Sequence, residues 1–495
     1  MKLLKIFVTA FALSLLLAAC GEKPAEKTPV AGEITTIALS DTGILVKGLP
    51  AEEAPESAVY VARDIIYYQA AQGITYGEGT EEDAHTEEEA SAHQVVHITK
   101  PGIYRLSGSL SKGQIAVYLG ENAEDDPTAV ATLILDGVDI TCQVAPAIIF
   151  YNVYECGDEN NAAKDVDTSA AGANVILADG SVNTINGSYV ARIYKPESVE
   201  LSEDGTQVED AKKLHKYDGA FYSKMSMNVG AEEKGTGVLN IRAENEGLDT
   251  EMHLTLNGGN INIFSGNDGI NTNEDGVSVT TINGGNLTIT VTGETGEGDG
   301  IDSNGWLVIN GGTVIASACA KSADAGIDSD MGIHINGGTV IAGGSMLDRI
   351  EAGGQPYTVF SFAQRQLGET PLSLKKEDGA VLAEISLPNA FSVLIYSGPD
   401  LDGGNCSVWQ GDTQIAQQGS GMMGGPGGMG PGGMGRPDGM DRPQSPGGDF
   451  SPPDGMIPPE GGNFQPPQGG QFPFPEDGRP PEKPENGFSN PQYDK

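Results

Sequence analysis

The feature that most constrains the fold is a short internal repeat in the second half of the chain. The triplet Asn-Gly-Gly occurs at steps of 26, 27 and 26 residues, beginning at Asn257, Asn283, Asn310 and Asn336. Apolar residues flank each triplet at alternate positions, which is the spacing of β-strands. Because Asn-Gly readily adopts positive φ angles, each triplet indicates a sharp turn between two strands.

A second ladder of Asp-Gly-Ile-type motifs lies between these triplets at a similar average interval. Its members are Asp218-Gly219-Ala220, Glu246-Gly247-Leu248, Asp268-Gly269-Ile270, Asp299-Gly300-Ile301 and Gly326-Ile327-Asp328. A period near 27 residues is too short for a propeller blade, and the 3.6-residue spacing of helical repeats is absent. The sequence therefore predicts an all-β parallel β-helix, a single-stranded solenoid in which each coil buries its apolar column against the next.

Composition and patterning divide the chain into five predicted segments. They are a lipoprotein signal peptide at 1–20, an N-terminal tether and cap region with an acidic loop at 21–94, the parallel β-helix at 95–354, a small antiparallel β cap at 355–416, and a disordered Gly/Pro/Met-rich tail at 417–495. The tail holds 17 of the 29 prolines and cannot bury enough apolar surface to fold. The cap is expected because an open solenoid end exposes unpaired strand edges.

The N-terminus predicts export. Two early lysines, an apolar run and small residues precede Cys20, as in a secretory signal. Leu17-Ala18-Ala19-Cys20 resembles the bacterial lipobox, whose cysteine is acylated, so we expect a protein lipid-anchored at Cys20 to the outer face of the bacterial membrane, at the cell surface. The four other cysteines permit three pairings. Cys142 and Cys156 are closest in sequence, and either a disulfide between them or unpaired buried thiols is expected.

The charge balance restricts the partners. A formal net charge of −41 excludes a nucleic-acid binder, since phosphate recognition needs a basic face. An acidic surface instead attracts cations. We expect a monomer. The acidic stretch 79–93, with His85 and His93, is interpreted as a solvated charge run in preference to a His/Glu metal site.

The Asp-Gly-Ile ladder predicts a calcium site. If the Ile or Leu of each motif points inward, the residues one and three positions later point outward in columns. Stacked carboxylates about 4.8 Å apart repel each other unless they are protonated or bridged. A mixture of Asp, Glu and Asn suits Ca²⁺. The alternative is a solvated acidic face with Asn ladders. The candidate ligands are Asp249, Glu251, Asp268, Asn271, Asp299, Asp302, Asn304, Asp328 and Asp330.

Trp306 is the candidate carbohydrate-binding residue. The alternation of Leu307 and Ile309 places its indole outside, where it can stack on a sugar ring. The alternative is that the ring folds over the turn at Gly305.

Several segments together resemble a known family. Residues 103–108, 133–140, 299–305 and 397–401 and the Asn-Gly-Gly repeats resemble bacterial surface lipoproteins that bind carbohydrate through a pectate-lyase-like right-handed parallel β-helix. The resemblance covers roughly residues 95–415. It implies calcium-containing, non-catalytic binding of plant cell-wall polysaccharide, of the cellulose or the polygalacturonate (pectin) type.

Two other functions stay open at this point. A calcium-dependent pectin lyase or a glycoside hydrolase can use the same fold, but Lys321 is the only Lys or Arg between residues 246 and 346, and a lyase needs a base. Carboxylate pairs could support hydrolysis, although no pair stands out in the sequence. The third function is a surface adhesin or structural solenoid without sugar affinity.

Overall fold

The computed structural model describes residues 32–157 and 163–418. Contacts divide the chain into Met1–Gly425 and Pro426–Lys495, and every described residue lies in the first unit. The predicted signal peptide, Cys20, the tether and nearly all of the predicted tail therefore lie outside the described residues. No helix in the described ranges is long and apolar enough to span a membrane.

Nearly all regular secondary structure in the described chain is β-strand, which confirms the all-β class. Before the gap the strands are β1 (Ile34–Leu39), β2 (Leu45–Val46), β3 (Leu49–Pro50), β4 (Val59–Ala62), β5 (Gln94–Ile98), β6 (Gly102–Leu110), β7 (Gly113–Tyr118), β8 (Ala131–Thr141) and β9 (Ile148–Asn152). Helical segments are α1 (Glu87–Ser91) and the 3-10 turns Ala123–Asp125 and Pro196–Ser198.

Twenty short strands lie between the gap and the end of the sequence repeat. They are β10 (Ala173–Leu177), β11 (Val182–Gly187), β12 (Val190–Tyr194), β13 (Glu200–Leu201), β14 (Val208–Asp210), β15 (Lys213–Tyr217), β16 (Gly219–Ser223), β17 (Met227–Ala231), β18 (Val238–Ala243), β19 (Glu246–Thr250), β20 (Leu254–Leu256), β21 (Asn260–Ser265), β22 (Ile270–Thr272), β23 (Val279–Ile282), β24 (Asn286–Val291), β25 (Ile301–Ser303), β26 (Trp306–Ile309), β27 (Thr313–Ser317), β28 (Gly332–Ile335) and β29 (Thr339–Gly344).

Most of these strands stack in three parallel columns. The first column runs β1-β6-β8-β10-β17-β20-β23-β26-β28, and the second runs β8-β11-β18-β21-β24-β27-β29. The third runs β5-β7-β9-β16-β19-β22-β25. Strands one sequence repeat apart therefore become hydrogen-bonded neighbours.

Alternating side chains fill the space between the columns. In β21, Ile261 and Ile263 are 2% and 0% exposed, whereas Asn260 and Asn262 project from the other face. The same alternation buries Leu248, Ile270, Ile301 and Ile327 in one continuous core. The period of two in the sequence thus becomes an apolar interior.

The Asn-Gly-Gly triplets form the corners between the first and second columns. The second glycine of each triplet has positive φ, for example 85° at Gly285 and 82° at Gly312. A Cβ atom on Gly312 would lie 2.6 Å from the carbonyl oxygen of Gly285 in the previous corner. The stacked corners therefore require glycine for backbone conformation and for close approach.

Antiparallel strands occur at both ends, so the sheets are mixed. β2, β3 and β4 pair antiparallel near the N-terminus. After the last repeat come β30 (Tyr357–Gln366), β31 (Leu372–Lys376), β32 (Val381–Ile385), β33 (Phe391–Ser397), β34 (Cys406–Gln410) and β35 (Thr413–Gln417). β33 pairs antiparallel with both β29 and β30. A second apolar cluster that includes Phe360, Phe391 and Val408 lies among these strands.

The acidic stretch 79–93 is not simply a solvated loop. It contains α1, whose capping box joins Thr86 and Glu89: the Glu89 N–H donates to Thr86 Oγ1, and Glu89 Oε2 accepts from the Thr86 N–H. His93, which follows the helix, is 1% exposed and is not part of a charged surface. The sequence interpretation missed this short helix because its signal is a single capping box.

The described cysteines are free thiols, so the disulfide considered between Cys142 and Cys156 is not formed. Cys142 is buried directly after β8, whereas Cys156 is half-buried beside Glu155. Burial raises the pKa of the Cys142 thiol to about 12 and that of Cys156 to about 11.

Candidate functional site

An acidic row crosses the third column of strands. It is formed by the motif residues Glu246, Asp249, Asp268, Asn271, Asp299, Asp302 and Asp328. Asp249, Asn271 and Asp302 occupy matching positions on β19, β22 and β25. The N–H of Asp328 donates to the Ile301 carbonyl at 2.7 Å, which continues the row by one more level. Because the preceding Leu or Ile points into the core, these side chains leave the opposite face of the sheet.

Three predicted ligands converge at one end of the row. Asp299, Asp302 and Asp328 each place a carboxylate oxygen within 4.8 Å of the others, and all three side chains are half-buried. We call them the three-aspartate cluster. Asp299 Oδ1 accepts the Ala325 N–H at 2.6 Å, and Asp268 Oδ1 accepts the Asp299 N–H at 2.6 Å. The first bond orients the Asp299 carboxylate, and the three converging carboxylates form a group that suits an oxygen-seeking cation.

A second group, the buried cluster, lies further along the row and consists of Glu246, Asp249 and Asn271. Asn271 Nδ2 donates to Glu246 Oε1 at 3.0 Å, and Asn273 Nδ2 donates to Asp249 Oδ1 at 2.6 Å. Three further oxygen atoms are buried without a hydrogen-bond partner among the described residues: the second carboxylate oxygens Glu246 Oε2 and Asp249 Oδ2, and the amide oxygen Asn271 Oδ1. Unpaired buried oxygen atoms are costly unless a further group satisfies them.

The buried cluster does not face solvent, contrary to the sequence expectation of an outward column. Asp249 is 0% exposed and Asn271 is 7% exposed. β15 supplies lysines at this end of the row: Lys216 Nζ lies 2.9 Å from Asp218 Oδ2, and Lys213 Nζ lies 2.6 Å from Glu251 Oε1. β15 belongs to an insertion between β11 and β16, which alternation within one coil does not predict.

Burial raises the pKa of these carboxyl groups. For Glu246, burial and the neighbouring Asp249 raise the pKa well above its usual range, and burial with Asp218 does the same for the pKa of Asp249. Burial and the Asp268 charge raise the pKa of Asp299 to about 9. Burial and the mutual repulsion of these neighbouring carboxyl groups therefore both favour their protonated forms.

Lys216, beside the acidic row, is not suited to act as a general base. The Asp218 carboxylate raises the pKa of Lys216 above its usual value, against the opposing effect of burial. Lys216 therefore stays protonated as a charge partner. It does not offer the neutral amine that proton abstraction from a sugar would need.

The remaining predicted ligands lie outside the two clusters. Glu251 accepts from Lys213 and from the Tyr222 hydroxyl, the latter at 2.6 Å. Asn304 Nδ2 donates to the Asn273 carbonyl at 3.0 Å. Asp330 is exposed, and Asp268 lies between the clusters.

Trp306 lies on the first column, not on the acidic row. It begins β26, and its half-buried indole packs against His334 with ring centroids 5.1 Å apart. Its Nε1 has no hydrogen-bond partner in the described part of the chain. Trp306 therefore lies on the same outward face of the first column as Val308. The carboxylates lie on the third column, beyond the turn that precedes β26.

Sequence reasoning did not include Glu246, Lys213 or Lys216 among the site residues. Glu246 was detectable because it occupies the acidic position of the repeated motif, like Asp268 and Asp299. No sequence signal identified the lysines, which reach the row only through the fold of the insertion.

The chain is similar in sequence to known proteins of one description. The family described as "Carbohydrate-binding domain-containing protein" matches residues 92–354. A relative of that description from Acetivibrio thermocellus is 30% identical over 170 residues, which is 34% of this chain and 44% of the relative. The match thus spans less than half of the relative's length.

A solved structure is also similar in part. It is described as a polysaccharide lyase-like protein from C. thermocellum, a gadolinium derivative. The alignment has 20% identity and a TM-score of 0.35, and it covers 65% of this chain and 98% of that one.

Proposed function

Because the chain belongs to the family of carbohydrate-binding domain-containing proteins, we propose that it binds a plant cell-wall polysaccharide, of the cellulose or pectin type, without cleaving it. The observation that carries this proposal is the extent of the family match. Residues 92–354 include nearly all of the three strand columns. The domain that defines the family is therefore the stacked body of the protein.

We further propose that the three columns wind as a right-handed, single-stranded parallel β-helix. The parallel register between strands one repeat apart supports the solenoid. Right-handed crossovers are the strong preference of parallel strands joined within one sheet system.

Calcium is proposed as the resident ion of the acidic row. Both clusters fit it: the three-aspartate cluster offers three converging carboxylates, and the buried cluster offers three oxygen atoms that lack partners. Asp and Asn oxygens are typical ligands of Ca²⁺. A bound cation would supply positive charge that neutralises the row and links adjacent strand levels. Asp299, Asp302 and Asp328 would hold one ion, and Glu246, Asp249 and Asn271 would hold another.

Location and anchoring are proposed from the N-terminal sequence. A lipid on Cys20 would hold the protein at the outer face of the bacterial membrane, with residues 32–418 presented to the medium as a monomer. A carbohydrate-binding body there would bring the cell to an insoluble polymer.

Retention on insoluble polysaccharide tests the proposal. The purified protein is passed over cellulose and over polygalacturonate gel, with calcium and with a chelator, and the eluate is assayed for released sugar. Retention without released sugar is the expected result. Absence of retention on both polymers would contradict carbohydrate binding and favour an adhesive or structural role.

Catalysis is the second candidate, because buried carboxyl groups with raised pKa values also occur in active sites. Asp299, whose pKa is about 9, could donate a proton to a glycosidic oxygen, as in glycoside hydrolases. Release of new reducing ends, or of unsaturated ends for a lyase, would place catalysis first. The protonated state of Lys216 disfavours the lyase.

A further inference from the structure

A long groove crosses the first column of strands, away from the acidic row. Its cavity measures about 1400 Å³. The central floor is a row of outward side chains at matching strand positions: Thr132, Asn174, Asn228, Thr255, Thr281 and Val308. Five strand-to-strand steps of about 4.8 Å give a floor about 24 Å long, parallel to the direction of stacking.

A ladder of asparagines borders this floor. Asn283 Nδ2 donates to Asn257 Oδ1, and Asn310 Nδ2 donates to Asn283 Oδ1, each at 2.9 Å. All three side chains are exposed and line the groove. A carboxamide has two N–H donors and an oxygen with two lone pairs. Since the ladder uses one donor and one lone pair of Asn283, that residue keeps one of each for a ligand.

Asn or Thr side chains occupy five of the six strand levels of the floor, and Val308 occupies the sixth. The hydroxyl groups of Thr132 and Thr281 make no hydrogen bond within the described ranges, so they add further donors and acceptors. Sugar hydroxyl groups likewise donate and accept. A polymer that presents hydroxyl groups at every ring therefore matches a groove whose donors and acceptors lie on the asparagine ladder and on Thr132 and Thr281.

The charges that line the groove favour a neutral polymer over an acidic one. Among the described residues that line the groove, Lys164 is the cation, whereas Glu33, Asp165 and Asp167 are acidic. The whole chain has a net charge of −41. An acidic polymer such as polygalacturonate would meet repulsion here, because like charges raise the cost of binding.

One wall is a loop fixed to the floor. Thr168 Oγ1 donates to Asn228 Oδ1 at 2.8 Å and lies 2.7 Å from Thr255 Oγ1, and Asn228 Nδ2 donates to the Thr168 carbonyl at 2.8 Å. Thr168 is 5% exposed. The wall is thus held by hydrogen bonds to the floor, and the groove keeps its shape without a ligand.

We infer that this groove binds a single extended chain of a neutral polysaccharide, a glucan-type polymer, along the direction in which the strands stack. The inference rests on the proposed carbohydrate binding and specifies its site and the class of sugar. It separates the sugar site from the acidic row, which lies on the third column.

Two matched substitutions test the site in the full-length protein. Thr281→Arg fills the floor, whereas Thr288→Arg introduces the same side chain on β24, at an outward half-buried threonine that does not line the groove. The probes are cellohexaose and hexagalacturonate, measured by calorimetry. We expect Thr281→Arg to weaken cellohexaose binding at least tenfold and Thr288→Arg less than twofold, with hexagalacturonate binding weaker than cellohexaose in the wild type.

The isosteric variant Thr281→Val serves if Thr281→Arg does not fold, and a two- to fivefold loss of cellohexaose affinity is expected.

Wild-type retention on polysaccharide combined with unchanged cellohexaose affinity in both Thr281 variants would overturn the groove as the site, but not the proposed function. Absence of retention on every polysaccharide would overturn the proposed function as well. Tighter hexagalacturonate binding would overturn the neutral class. A photo-crosslinker at position 281 that captures residues 419–495 would show that the chain's own tail occupies the groove.

Discussion

At the scale of single residues, the surroundings of a polar side chain decide its protonation. His93 is an example: its Nδ1 donates to the Glu89 carbonyl at 2.9 Å, and its Nε2 accepts the Gln143 N–H at 3.3 Å. That pairing needs the neutral ring. Burial, and to a lesser degree the Lys112 charge, lower the pKa of His93 below its usual 6.5.

We predict that His93 makes the fold more sensitive to acid. Below pH 6.5 the unfolded chain binds a proton at this histidine that the folded chain does not, so stability falls as the pH falls. The stability advantage of the wild type over His93→Asn should shrink by up to about 1.4 kcal/mol per pH unit between pH 6.5 and 5.5. Urea unfolding at several pH values measures it. A constant difference would contradict a neutral buried His93.

Trp306 permits a second test at this scale. It lies on the same outward face as Val308 of the groove, whereas Trp409, the other tryptophan, packs against Lys375 in the C-terminal strands. We expect Trp306→Ala to weaken cellulose binding about two- to tenfold, the loss of one aromatic contact. Trp409→Ala is the control, and equal losses in both variants would argue against a sugar contact at Trp306.

At the scale of elements, the close approach of adjacent coils decides which glycines can be replaced by a larger residue. A Cβ atom on Gly300 would lie 2.3 Å from the Gly326 carbonyl oxygen, whereas one on Gly258 would meet no atom within 4 Å. We expect Gly300→Ala to lower the free energy of unfolding by about 1–3 kcal/mol. Gly258→Ala should change it by less than about 0.5 kcal/mol. Equal effects in denaturant titrations would mean that the coils can move apart.

The third column supplies the test for calcium. Calcium in place of a chelator should raise Tm by several degrees, because an ion that binds only the folded state stabilises it. Asp302→Asn with Asp328→Asn should remove the part of that shift that the three-aspartate cluster contributes. The exposed pair Asp400→Asn with Asp412→Asn, with the same charge change, should retain it. The shift should be larger at pH 8 than at pH 5, since protons compete for the same oxygens. An unchanged shift in the double variant would place calcium elsewhere.

At the scale of the whole molecule, the proposed anchor and the body have separate roles. We expect Cys20→Ser to release the protein from the membrane fraction while polysaccharide retention by the purified protein is unchanged. Fractionation of cells and the same retention assay measure both properties. Membrane association that survives the substitution would contradict lipidation at Cys20.

The sequence by itself determined the all-β class and the neighbours of the strands that carry the repeat of 26 to 27 residues. Both follow from local information: alternating apolar residues, glycine corners and a period that brings Asn271 beside Asp302. It also identified the carboxylates, because their motif repeats with the coil. The neighbour of a residue in the next coil can therefore be identified by moving one repeat along the sequence.

Only the tertiary structure decided which of those residues act together. Lys213 and Lys216 reach the acidic row from an insertion, which leaves Asp249 buried where alternation predicted an outward side chain. The groove joins Thr132 on β8 to Val308 on β26, and its wall depends on Thr168 from another loop. Alternation is a property of neighbouring residues, whereas burial and pKa depend on segments far apart in sequence that fold over the same surface.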